Sequence, residues 1–76
     1  MIALTLYTRS ECHLCEEMLV ELLPLVEGRA RVDVVDIDAD AGLLLRFGEI
    51  VPVLMHGDSE LSRLRLDADR VRELVD

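Results

Sequence analysis

The chain has 76 residues, a length that suits one domain and is too short for two. Its 16 acidic and 8 basic residues give a formal net charge of −8, and every basic residue is arginine. This charge opposes nucleic acid binding, which depends on clustered Lys and Arg, and it repels anionic membrane surfaces. Composition therefore predicts a single acidic domain, residues 1–76, that binds neither nucleic acid nor a membrane.

The start of the chain does not resemble a targeting signal. Residues 1–8 are apolar but form only a short segment without a basic residue before it. No apolar run approaches the roughly 20 residues that a membrane-spanning helix needs. We expect a cytosolic, monomeric protein, and in that compartment an isolated cysteine pair is more often catalytic or metal-binding than structural.

The first half of the chain has the pattern of a β-α-β unit. Residues 2–7 alternate with apolar side chains on both faces, which is typical of a central strand covered on both sides. From Leu14 the apolar period becomes helical, and Pro24 is expected to kink or end this helix before Gly28 closes the unit. The β-branched segment Arg31–Ile37 predicts a second strand. So short a unit implies a parallel pair with a right-handed crossover.

The second half predicts two more strands and two short helices. The order β-α-β-α-β-β-α describes a compact α/β domain of two or three layers. The predicted elements are a helix capped by Asp38 or Asp40 that ends at Phe47 before Gly48, a strand over Val51–His56, a turn at Gly57-Asp58, a strand over Glu60–Leu64 and a helix capped by Asp67.

Two cysteines lie where the first strand meets the first helix. Cys12 and Cys15 are separated by His13 and Leu14. A thiolate at a helix N-terminus is stabilised by unpaired backbone N–H groups, and the thiolate is the reacting species. The second cysteine lies one helical turn further on, close enough to resolve a mixed disulfide. A disulfide closing so short a loop adds little stability, so the spacing favours redox chemistry over a structural bridge.

The charges around this turn work against the thiolate. Glu11, Glu16 and Glu17 crowd the same turn, and Arg9 is the nearest cation that offsets them. We therefore expect the helix end to stabilise the Cys12 thiolate less than it would in a neutral setting.

Metal binding is an alternative for the cysteine pair. With His13 and the distant His56, the two cysteines cannot complete a four-ligand zinc site without a second subunit. An iron–sulfur cluster shared across a dimer stays open, since such clusters take cysteine thiolates. His13 has two interpretations as well: it tunes the dithiol, or it is an exposed residue of the first helical turn.

Three motifs together form a recognisable set. They read L-Y-T-R-S-E-C-H-L-C-E at residues 6–16, V-D-I-D at 35–38 and V-P-V-L at 51–54. The sequence resembles the glutaredoxins, and more closely a small bacterial glutaredoxin-like family within the thioredoxin superfamily. The resemblance spans nearly the whole chain, and it implies a four-stranded mixed sheet with a cis-Pro loop.

The resemblance also implies roles for individual residues. Cys12 would be the nucleophile and Cys15 the resolving thiol, with a cis peptide bond before Pro52. The Val51 backbone would pair with an extended peptide or with glutathione. Arg9 stands where many glutaredoxins have a lysine that pairs with a glutathione carboxylate.

The sequence departs from the glutaredoxin pattern at two places. His13 and Leu14 replace the usual proline and aromatic residue, and Ser62–Asp67 lacks the Gly-Gly pair that helps to hold glutathione. We therefore expect a thiol–disulfide oxidoreductase that acts on protein or small thiols, needs no cofactor and binds glutathione poorly. The alternative is a low-turnover adaptor on the same fold that holds a cluster or metal between subunits.

Overall fold

A computed structural model describes all residues, 1–76. The strands are β1 (Ile2–Thr8), β2 (Ala30–Asp36), β3 (Val53–His56) and β4 (Ser59–Arg63). The helices are α1 (His13–Val26), α2 (Ala41–Phe47) and α3 (Ala68–Val75), with one turn of 3₁₀ helix at Ile37–Ala39 before α2. No helix in the structure has the length and apolar character needed to cross a membrane.

The four strands form one mixed sheet in the order β2-β1-β3-β4. β1 runs parallel to β2, antiparallel pairing joins β1 to β3, and β3 pairs antiparallel with β4. This arrangement confirms the predicted α/β fold with its four-stranded mixed sheet. The central position of β1 is also confirmed, and it brings the chain out at Thr8 in the middle of the sheet edge where the cysteines follow.

Helices α1 and α3 cover one face of the sheet. The apolar side chains of this layer are buried, and they come from the sheet and from both helices. They are Leu4, Leu6, Leu54 and Leu61 from the strands, Met18, Leu22 and Val26 from α1, and Val71 from α3. The α1 residues among them are those of the predicted helical stripe.

The opposite face of the sheet is covered only in part. Phe47 at the end of α2 packs over Tyr7, with ring centroids 4.7 Å apart. Because α2 has only seven residues, it does not reach the start of β1, where Ala3 is exposed and Thr5 half-buried. The expectation that β1 is covered on both sides is therefore correct for one face and only partly correct for the other.

Two predicted boundaries of the first unit are wrong. Helix α1 does not end at Pro24 but continues to Val26, whose side chain is buried in the core. A proline in the last turn removes only one hydrogen bond, and burial of Val26 offsets that loss. β2 ends at Asp36 rather than Ile37, because the Asp36 carboxylate accepts the Asp38 N–H at 2.9 Å and turns the chain into the 3₁₀ helix.

The last two strands are also displaced from their predicted bounds. β3 begins at Val53, not Val51, and β4 covers Ser59–Arg63 instead of Glu60–Leu64. Pro52 has no N–H to donate to a sheet ladder. Leu64 leaves the strand because its backbone adopts a left-handed conformation, with φ 65°.

The helix caps agree with the sequence. Asp40, one of the two candidates, caps α2 by accepting the Leu43 N–H at 3.1 Å. Asp67 caps α3 by accepting the Arg70 N–H at 3.2 Å. Both are short side chains that satisfy backbone donors left unpaired at a helix start.

The left-handed backbone at Leu64 leads to a stability prediction. Residues with a Cβ rarely adopt this conformation, and here a 2.8 Å hydrogen bond from the Leu64 N–H to the Pro52 carbonyl holds it. We expect Leu64→Gly to be more stable than Leu64→Ala by about 0.5–1 kcal/mol, because only glycine relieves the strain. Chemical denaturation measures the difference. At Glu21, within α1, the order should reverse, with Gly about 1 kcal/mol less stable than Ala. Equal stability of the two Leu64 variants would contradict the prediction.

Candidate active site

Cys12 and Cys15 form a disulfide at the start of α1. Their Cα atoms are 5.2 Å apart, and the chain contains no other cysteine. Cys12 is the N-cap residue and is half-buried, whereas Cys15 lies in the first turn and is only 4% exposed. The two sulfurs therefore differ in their access to solvent, and Cys12 is the one that a substrate reaches more easily.

The start of α1 directs a hydrogen-bond donor at the Cys12 sulfur. The Cys15 N–H donates to Cys12 Sγ at 3.2 Å, and the Glu16 N–H donates to the Cys12 carbonyl at 3.2 Å. A donor in this position stabilises negative charge on the sulfur, and the positive end of the helix dipole acts in the same direction. When the disulfide is reduced, this arrangement favours Cys12 as the thiolate.

A network of acidic side chains holds the loop that precedes Cys12. Arg9 Nε donates to Asp38 Oδ1 at 2.8 Å, and Arg9 Nη1 donates to the Gly48 carbonyl at 3.3 Å. The Ser10 N–H donates to Asp38 Oδ2 at 3.3 Å, and its hydroxyl donates to Asp36 at 3.2 Å. These bonds fix the loop against the end of β2 and the turn after α2. Arg9 is thus engaged within the chain.

Sequence reasoning did not assign this role to Ser10, Asp36 and Asp38. The aspartates were expected only as strand-end and helix-cap residues, although V-D-I-D is one of the motifs of the resemblance. No sequence signal pairs Arg9 with Asp38, because 29 positions separate them and the parallel crossover alone brings them together.

His13 lies on the outer surface of α1. Its side chain is 83% exposed, and its Nε2 lies 3.4 Å from Glu17 Oε1, one turn along the helix. It makes no hydrogen bond to either cysteine sulfur. The structure thus places His13 next to Cys12 in sequence but pairs its ring with a carboxylate, and a tuning effect on the dithiol stays a prediction.

Val51 and Pro52 lie beside the disulfide on its inner side. Val51 belongs to the same buried apolar cluster as Cys15, together with Phe47. Pro52 is buried, and the Val51–Pro52 peptide bond is cis. The N–H and the carbonyl of Val51 make no hydrogen bond to the rest of the backbone. The fold thus brings the V-P motif to the cysteines and leaves the Val51 backbone unpaired.

On its outer side the disulfide opens into a small cleft between α1 and β2. Its volume is about 130 Å³, and Leu19 and Val34 form its apolar walls beside the two cysteines. Glu16 is the carboxylate at this opening. Nowhere in the chain do three or more His, Cys, Asp or Glu side chains converge in a group that could hold a metal ion.

Comparisons with known proteins agree with this geometry. The chain is similar to protein Ne2328 from Nitrosomonas europaea, with 33% identity, a TM-score of 0.84 and coverage of 99% of this chain and 92% of that one. It is 40% identical to protein XcR50 from X. campestris, with a TM-score of 0.72 over 100% and 94% of the two chains.

A third similar structure carries a functional description. It is the glutaredoxin-like protein NrdH-redoxin from Escherichia coli, with 26% identity, a TM-score of 0.61 and coverage of 96% and 95%. A comparison with curated proteins found no significant match.

The family assignment rests on the whole domain. Residues 3–76 match the glutaredoxin-like domain family DUF836, which includes the cysteine pair and all four strands. Fold, paired cysteines and family agree on a protein of redox type. The chain therefore belongs to the glutaredoxin-like domain (DUF836) family.

Proposed function

We propose that this protein is a thiol–disulfide oxidoreductase that exchanges disulfides with protein or small-molecule thiols in the cytosol and acts as a monomer. The observation that carries the proposal is the asymmetry of the cysteine pair. Cys12 is accessible and receives an N–H donor, whereas Cys15 is buried one turn below it. The NrdH-redoxin to which the chain is similar is described as having a thioredoxin-like activity profile.

The reaction proceeds in two exchange steps. In the reduced protein the Cys12 thiolate attacks one sulfur of a substrate disulfide, the substrate S–S bond breaks, and the second substrate sulfur leaves as a thiolate that takes up a proton. Cys15 then loses its proton and attacks Cys12 Sγ, which releases the first substrate sulfur as a thiol. Two electrons and two protons pass to the substrate, and the Cys12–Cys15 disulfide remains.

The surroundings of the disulfide support these steps. The Cys15 N–H stabilises the attacking thiolate on Cys12, and the 5.2 Å separation of the Cα atoms keeps the resolving thiol within reach. The unpaired N–H and carbonyl of Val51 offer two hydrogen bonds to an extended substrate. Substrate residues beside the target cysteine would lie against this segment and Pro52.

A redox titration combined with single-turnover exchange tests the proposal. The protein is equilibrated in thiol–disulfide buffers of graded potential, and thiol content gives the potential of the pair. Thioredoxin-like dithiols lie between about −270 and −120 mV, and we expect a value in this range. Pre-reduced protein should then convert one equivalent of a peptide disulfide to two thiols. A pair that does not exchange, or a coloured preparation whose cysteines bind iron and sulfide, would contradict the proposal.

We further propose that glutathione is a poor specific ligand. The two arginines nearest to the expected carboxylate positions are already engaged, Arg9 with Asp38 and Arg63 with Glu60 through two bonds of 2.8 Å. The hydrogen bonds from Arg63 lower the pKa of Glu60 below its ordinary value, as expected for a bound carboxylate. The net charge of −8 also repels an anionic tripeptide.

A charge-matched pair of variants tests the glutathione prediction. S-Methylglutathione, which cannot exchange, should bind the natural chain weakly and lose affinity with added salt. Asp38→Asn frees Arg9, and we expect binding to tighten by up to about fivefold, the equivalent of one exposed ion pair. Asp33→Asn removes the same charge from the pair with Arg31 on β2 and should have little effect. Titration by NMR measures all three. Tight binding that persists at high salt would contradict the prediction.

A further inference from the structure

An apolar groove runs along the outer side of the domain, between α1 and the edge strand β2. Three of the chain's six exposed large apolar side chains lie along it: Val20 is 71% exposed, Val34 51% and Leu23 49%. The groove has a volume of about 630 Å³, and Val20 and Leu23 line it on the helix side with Val32 on the strand side. No other segment of the chain covers it.

The groove continues into the cleft at the disulfide. Val34 is two residues beyond Val32 on β2, so the two side chains share one face of the strand. Val34 and Leu19 form the walls of the cleft into which Cys12 and Cys15 open. The apolar surface therefore extends without interruption from the reacting sulfurs to the last turn of α1.

Unpaired carboxylates border this surface. Glu16 lies at the disulfide end, Glu21 beside Val20, and Glu27 at the far end. None of the three has a cation within 4.0 Å, and α1 contains no lysine or arginine. A second copy of this acidic chain would be repelled here, whereas a segment that carries arginine or lysine beside apolar residues would satisfy both features.

We propose that this groove, the α1–β2 groove, docks a basic, apolar segment of the protein whose disulfide is exchanged. The inference rests on the proposed function and adds the partner's chemistry to it. Val20 is eight residues beyond Cys12, or about 12 Å along the helix axis. An extended peptide covers that distance in about four residues, so the docking segment begins about four residues from the target cysteine.

Three synthetic peptides and one small disulfide test the proposal. Each peptide carries one cysteine in a mixed disulfide and, about four residues away, a segment of alternating Leu or Val with Arg. In the second peptide Glu replaces Arg, and in the third Ser replaces the apolar residues. Single-turnover exchange with pre-reduced protein should be about tenfold faster for the first peptide than for the other two at low salt. The advantage over the Glu peptide should largely vanish at about 0.5 M salt.

Variants of the groove locate the effect. Val20→Ser with Leu23→Ser, or Glu21→Gln with Glu27→Gln, should remove most of the advantage of the basic apolar peptide. The matched controls lie elsewhere on the surface: Leu45→Ser at a side chain that is 91% exposed on α2, and Glu73→Gln on α3, both of which should exchange like the natural chain.

The outcomes separate the docking inference from the proposed function. If the small disulfide and all peptides fail to react, the exchange function itself is wrong. If all peptides react at the same rate, or if the Leu45 control lowers the rate as much as the groove variants do, the docking inference is overturned. A dimer in sedimentation that the Val20 and Leu23 variant converts to monomer would assign the groove to self-association instead.

Discussion

Cys15→Ser is expected to make the protein accumulate mixed disulfides with its substrates, whereas Cys12→Ser should form almost none. In the Cys15 variant the accessible Cys12 still attacks, but no thiol remains to release the substrate. In the Cys12 variant the only thiol left is 4% exposed and receives no N–H donor from the helix start. We expect its exchange rate to fall about 100-fold or more, as is usual when a covalent nucleophile is lost.

The two variants control for one another. Each removes one sulfur and the disulfide, so a difference between them cannot come from the loss of the bridge. Serine is also a good N-cap residue, and Cys12→Ser therefore keeps the start of α1 intact. Mass spectrometry of the trapped species and circular dichroism of both variants check the prediction. Equal trapping by the two variants would show that the assigned order of attack is wrong.

Sequence reasoning succeeded where the signal is local. Asp40 and Asp67 are followed by apolar helical patterns, and each caps its helix through a donor three residues later. The position of Cys12 and Cys15 at a strand-to-helix junction follows in the same way from a change of apolar period at Leu14. Of the three consecutive leucines on α2, Leu45 is the exposed one, which agrees with the expectation that at least two of them pack in the core.

Sequence reasoning failed where distant contacts decide the structure. Pro24 breaks a helix in isolation, but the buried Val26 keeps the last turn of α1 in place. Leu64 adopts a glycine-like conformation only because its N–H reaches the Pro52 carbonyl. Arg9 was expected to face a substrate carboxylate, and the structure shows it bound to Asp38. In each case the deciding partner lies outside the local sequence window, so a pattern of propensities does not contain it.

The support of the site depends on one aromatic residue, and its loss should have the largest effect on stability. Phe47 is 3% exposed and stacks on Tyr7 at 4.7 Å with an interplanar angle of 22°. The guanidinium carbon of Arg46 lies 4.7 Å from the centre of its ring. On the thinly covered face of the sheet no other large side chain replaces it, and it shares a cluster with Cys15 and Val51.

We therefore expect Phe47→Ala to lower the free energy of unfolding by about 3–5 kcal/mol, since a buried aromatic ring and a stacked pair are both lost. At about 0.05–0.15 kcal/mol per residue, a domain of this size has only about 4–11 kcal/mol in total. Leu45→Ala, two residues earlier on the same helix and 91% exposed, should change stability by no more than about 0.5 kcal/mol. Urea denaturation of both variants measures the contrast. A loss below about 1 kcal/mol for Phe47→Ala would mean that α2 contributes little to the fold, and the cluster around Cys15 would then depend on β3 and the V-P segment alone.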